Sequence, residues 1–203
     1  MMAKKRRKQK QESFFGEGVA SGWSYIKESK NFVYIASAVF FLFILIGYFI
    51  PAPEFIERTI LEFIDELLSR TENLSWAGLV GFIFFNNLQS SFFGMIFGLA
   101  FGIFSIITVV VNGYLLGFVS VRMVETQGFA VLWRLLPHGI FELPAVLVSM
   151  GLGLKMGTFI FRKNKIKSLK EFFLKSLKAF FFVIIPLLVV TALIESTLIF
   201  FFS

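Results

Sequence analysis

The stretch FVYIASAVFFLFILIGYFI, Phe32–Ile50, contains no charged side chain, and Pro51 and Pro53 close it. As a helix rising about 1.5 Å per residue it reaches roughly 30 Å, the thickness of a hydrocarbon core. The prolines end it because neither donates a backbone N–H and each disfavours helix in the residue before it. Backbone groups inside lipid must be satisfied within the spanning structure, so only helices or closed barrels cross. A near-continuous apolar run without two-residue alternation selects the helix. The fold class follows: an all-α, polytopic membrane protein.

The rest of the chain agrees. It is 57% apolar and 16% charged, where soluble domains carry about 25% charge. Before the first span, residues 1–12 hold Lys4, Lys5, Arg6, Arg7, Lys8 and Lys10, a block that self-repulsion should disorder. Residues 13–31 mix Phe14, Phe15, Trp23 and Tyr25 with Lys27, Glu28 and Lys30, the composition of an interfacial helix. The chain thus divides into 1–31, a basic cytoplasmic tail with an interfacial helix, and 32–203, a helical membrane domain.

After Pro53 the residues Phe55, Ile56, Ile60, Phe63, Ile64, Leu67 and Leu68 recur at three and four, with Glu57, Arg58, Glu62, Asp65 and Glu66 largely opposite. This predicts an amphipathic helix over 54–70. Trp76 to Met123 stays mostly apolar and is too long for one crossing, so it must reverse, with Gly98 and Gly102 as the expected turn. Phe129–Leu136 reads as a brief interfacial helix, His138–Thr158 as a fourth span kinked at Pro144, and the region from about Ala179 to Phe201 as a fifth, with Pro186 early in it. Five transmembrane helices result, with broken or kinked helices expected near Asn86 and across Pro137–Pro144.

The charge surplus of +7 sits in the N-terminal block and in Arg162–Lys178, which an anionic leaflet suits better than a nucleic acid. Both zones fall on one side of a five-span topology. The positive-inside rule then gives a multi-pass protein of the cell membrane with a cytoplasmic N-terminus and an outside C-terminus. No cysteine is present, which excludes thiolate metal sites, cysteine nucleophiles and disulfides. A phosphate loop is excluded too, since no GKS or GKT ending follows the glycines. Gly94, Gly98 and Gly102, then Gly113 and Gly117, then Gly153 and Gly157 are each four apart. That spacing suits close helix packing within the bundle or a homodimer seam.

Polar groups inside the spans form the candidate site. His138, the sole histidine, and Glu142 are four apart within LPHGIFELPA, residues 136–145. They share a face if the helix is regular there. Glu195 lies well inside the fifth span, and Asn86, Asn87 and Asn112 lie near mid-depth. A carboxylate in hydrocarbon costs roughly 2.5–3.5 kcal/mol on insertion scales, so these groups should face a cavity or one another. Three readings stay open: a structural set that fixes helices, a polar pocket that carries an ion or small solute, and a metal-dependent hydrolytic site of His138, Glu142 and Glu195. No HExxH spacing and no nucleophile constellation is present, so no catalytic residue, metal ligand or cofactor is assigned.

FNNLQSSFFGMIFGLAFGIFSI at 85–106, VNGYLLGF at 111–118, LPHGIFELPAVLVSMGLGLKMG at 136–157 and ALIES at 192–196 resemble the stage II sporulation protein M family. The resemblance implies a multi-spanning scaffold subunit of an envelope-remodelling complex, acting beside a separate lytic enzyme, rather than an enzyme itself. The partners it implies are membrane lipids and other membrane proteins, with a second copy as one arrangement and no nucleic acid.

Overall fold

The computed structural model describes residues 2–135 and 142–202, and among them the regular structure is helical throughout. The helices are α1 (Met2–Glu28), α2 (Lys30–Phe49), α3 (Glu54–Thr71), α4 (Trp76–Ile96), α5 (Ile103–Gln127), α6 (Leu143–Gly157), α7 (Lys165–Ala179) and α8 (Ile185–Phe202). Among the described residues, five helical stretches are long and apolar enough to cross a membrane: Lys30–Phe49, Trp76–Leu99, Ile103–Gln127, Leu143–Phe161 and Lys165–Phe201. The five-span expectation holds, and α3 forms where the amphipathic period placed it.

The reversal also falls where expected. Phe97–Leu99 tightens into a 3-10 turn, then Phe101 and Gly102 both take left-handed φ, +59° and +76°. Gly102 adopts this freely, whereas a bulky residue such as Phe101 does so under strain. The reversal is held by α6, because Gly157 stands against the backbone of Phe101 and Gly102.

Two expectations are corrected. First, α4 continues unbroken through Asn86, since its asparagines project side chains from the helix without displacing its backbone bonds. Second, the basic head is continuous with α1; lysine, arginine and glutamine are good helix formers even where their charges repel. Pro144 falls within the first turn of α6, with Glu142 already in a helical turn; the chain just before Glu142, on which a kink at Pro144 depends, lies outside the described residues. His138 and Pro137 lie outside the described residues.

The bundle is built around α6. Two-thirds of its apolar window is buried, against 17% for the first span. On one side it packs on α4, α7 and α8 through Ala145, Leu152, Met156, Met95, Ile184 and Leu188. On the other it meets α2 and α5 through Val146, Leu147, Met150, Ala36, Phe40 and Val109. Glycines set the closest approaches. Gly113 and Gly117 of α5 face the carbonyls of Phe40 and Ile44 in α2, and Gly47 of α2 faces that of Tyr114 in return. Gly151 lies against Val33, and Gly98 against Gly153. The spaced glycines therefore pack spans inside one chain, where close approach gains dispersion contacts that lipid tails do not offer.

α7 and α8 form one helical rod. Its residues Phe180–Ile184 widen into a π turn just before Pro186, which relieves the clash between the proline ring and the preceding turn. α1 packs along this rod, with Gly22 against Ala179 and Val183, and Phe14 and Phe15 edge-on to Phe182. α3 is different: none of its residues is buried. Glu57 of α3 pairs with Arg122 near the far end of α5.

Candidate functional site

Two contacts fix the registers needed to place the polar residues. Trp76 Nε1 donates to Thr197 Oγ1 at 3.2 Å, and Phe92 meets Phe180 edge-on at 5.4 Å, so α4 and α8 are antiparallel. Ser149 Oγ donates to the Ser91 carbonyl at 2.7 Å, and Gly98 stands against Gly153, so α4 and α6 run parallel. Glu142, seven residues before Ser149, then lies about two turns from Ser91, near the level of Phe84. Glu195, two residues before Thr197, lies near the first turn of α4. Asn87 is deeper, about three turns from Trp76.

The expected set divides by direction. Glu142 is 4% exposed and Asn87 8%; both turn inward, and Glu195 is half-buried. Glu142 directly precedes α6. Asn112 is exposed and donates to the Thr108 carbonyl of its own helix at 2.8 Å. Asn86 is also exposed, because adjacent residues on a helix are about 100° apart. His138 lies outside the described residues. Among the described residues no three His, Asp or Glu side chains stand together as a metal site.

Asn86 belongs instead to a crevice between α3 and α4. It has a volume of about 360 Å³ and is lined by Phe63, Glu66, Leu67 and Arg70 of α3 and by Gly81, Phe82, Phe85, Asn86 and Gln89 of α4. Glu66 and Arg70 neutralise each other at 2.6 Å. Asn86 and Gln89 lie roughly 15–20 Å along α4 from Trp76, near the middle of a hydrocarbon core about 30 Å thick. Among the described residues neither amide has a hydrogen-bond partner. Below the crevice Phe93 and Phe97 continue the same outward face, and Phe97 meets Phe104 of α5.

A second polar cluster lies at the opposite end, and the sequence reading passed over it. Lys155, in the last turn of α6, is 4% exposed. Its Nζ donates to Glu28 Oε1 at 2.8 Å and to Ser29 Oγ at 3.1 Å, and sits 4.1 Å from the centre of the Tyr25 ring. Phe172 of α7 lies on another side. Burial pushes the Tyr25 phenol well above its ordinary range, so the ring facing the ammonium stays neutral at physiological pH. One ammonium thus joins the α1–α2 junction to α6 and α7. A lone lysine within an apolar run was the signal, since an ionisable group in a span usually has a named partner.

Compared with models of known families, residues 36–198 match the one described as stage II sporulation protein M. Comparison with curated proteins gave no match, and comparison with solved structures gave none.

Proposed function

We propose that this chain, which belongs to the stage II sporulation protein M family, is a membrane-embedded assembly component that holds a partner's transmembrane helix against the α3–α4 crevice. The supporting observation is the outward pair Asn86 and Gln89 at mid-depth. Lipid tails offer nothing to a carboxamide, and a polar group left unsatisfied in hydrocarbon costs several kcal/mol. A neighbouring helix with one polar side chain satisfies it, and interhelical bonds of this kind are worth about 0.6–2 kcal/mol. Phe82, Phe85 and Phe93 beside the amides supply apolar contact.

The lysine and arginine asymmetry supports a cytoplasmic N-terminus and an outside C-terminus. α3 then roofs the crevice on the outer face, where envelope material lies. A scaffold in envelope remodelling, as the family resemblance implies, needs such an outward docking side. The inward residues Glu142, Asn87 and Glu195 serve in this reading to fix α4, α6 and α8.

The test is a photo-cross-linking residue at position 89, with one at position 42 on the exposed face of α2 as control. Position 89 should give a discrete protein adduct that position 42 does not. Asn86→Leu should weaken that adduct several-fold. Adducts of lipid alone at 89, or the same protein adducts from 42, defeat the proposal. A product of twice the chain's mass identifies the partner as a second copy.

A further inference from the structure

We propose that α7 and α1 together form a platform that binds anionic phospholipid headgroups at the basic end of the bundle. α7 and its approach carry Arg162, Lys163, Lys165, Lys167, Lys170 and Lys178, all exposed. The carboxylates nearby are already engaged: Glu171 with Lys175 at 2.7 Å, and Glu28 with Lys155 at 2.8 Å. Among the described residues none of the six cations has an ion-pair partner. Their counter-ions must come from outside the chain.

The surface around them identifies the source. Phe14, Phe15 and Trp23 of α1 are exposed at 63%, 62% and 51%, and Ile166 and Leu174 of α7 at 84% and 54%. Cations interleaved with exposed aromatic and aliphatic groups match a surface that meets headgroups. Gly18 and Gly22 let α1 press against Phe182 and Ala179, so both helices present one surface. That surface is continuous with α8 and cannot leave the membrane. Each lysine near an anionic surface contributes about 1 kcal/mol. The other amphipathic helix, α3, carries Glu54, Glu57, Glu62, Asp65 and Glu66, so the attraction is confined to one end.

The experiment uses the full chain in mild non-ionic detergent, offered equimolar dioleoyl phosphatidylglycerol and dioleoyl phosphatidylcholine, with retained lipid counted by native mass spectrometry. The wild type should retain phosphatidylglycerol with a preference of about tenfold or more, set by the combined lysine contributions. Lys167→Gln, Lys170→Gln and Lys178→Gln together should bring the ratio close to one, and each alone should lower it in part. Glu54→Gln with Glu62→Gln on α3 should leave it unchanged. Equal retention of both lipids by the wild type overturns the proposal, as does an unaltered preference in the triple variant with its melting temperature intact.

Discussion

Gly117→Ala should cost about 3 kcal/mol, and Gly117→Leu should leave no folded protein to purify. A Cβ at Gly117 runs into the carbonyl oxygen of Ile44 and lies 2.9 Å from the Tyr48 nitrogen. These are backbone atoms of a helix, so they cannot rotate away as a side-chain tip would. Overpacking a tight site usually costs about 1–3 kcal/mol, and a rigid obstacle places this substitution at the upper end. The whole α2–α5 pair must move, because Gly113 and Gly47 use the same close approach. The control is Gly81→Ala, where nothing lies within 4 Å. There the alanine should be neutral or stabilise by up to about 1 kcal/mol through helix propensity. Unfolding in mixed micelles, followed by tryptophan fluorescence, compares the two. Equal stability of the two alanine variants would show that α2 and α5 are not in the contact described.

The second large effect is expected at Lys155. Lys155→Ala should cost about 2–4 kcal/mol, the range for truncating a buried unbranched side chain. It should also speed tryptic cleavage at Lys27, because α1 loses its anchor to α6. Lys155→Met keeps the stem against Tyr25 and Phe172 and should cost less than about 1 kcal/mol, since an apolar replacement of a buried ion is often near neutral. Glu28→Gln should fall between them. Glu28 is 58% exposed, so water screens its loss and keeps the cost near about 1 kcal/mol. If Lys155→Met proves as damaging as Lys155→Ala, charge and not packing holds the junction. The order of the three variants decides the matter.

Much of this fold was legible before the structure. Spans are apolar runs of membrane length, and the turn at Gly98–Gly102 follows from the length of the run around it. α3 was visible because its apolar residues recur at three and four. What remained hidden depended on direction. Asn86 and Asn87 are identical neighbours in sequence, yet one faces a crevice and the other the core. Periodicity in a span that is apolar all round does not say which side meets protein and which meets lipid. Lys155 was passed over because it lies near the end of its span, where a lysine ordinarily reaches water. Its partners, Glu28 and Ser29, are more than a hundred residues away in sequence.

The uninterrupted rod from Lys165 to Phe201 has a mechanical consequence. At about 1.5 Å per residue it is roughly 55 Å long, almost twice the hydrocarbon thickness. No loop separates its basic half from the half that carries Glu195, so it can act as a beam across the bilayer. A sideways load on α7 is delivered to the joint between Thr197 and Trp76 at the opposite surface. The wide turn at Phe180–Ile184 is where such a beam bends most easily, and α1 lies along that place as a splint. Stiffness across the membrane would let an event on one surface be felt on the other without any substance crossing.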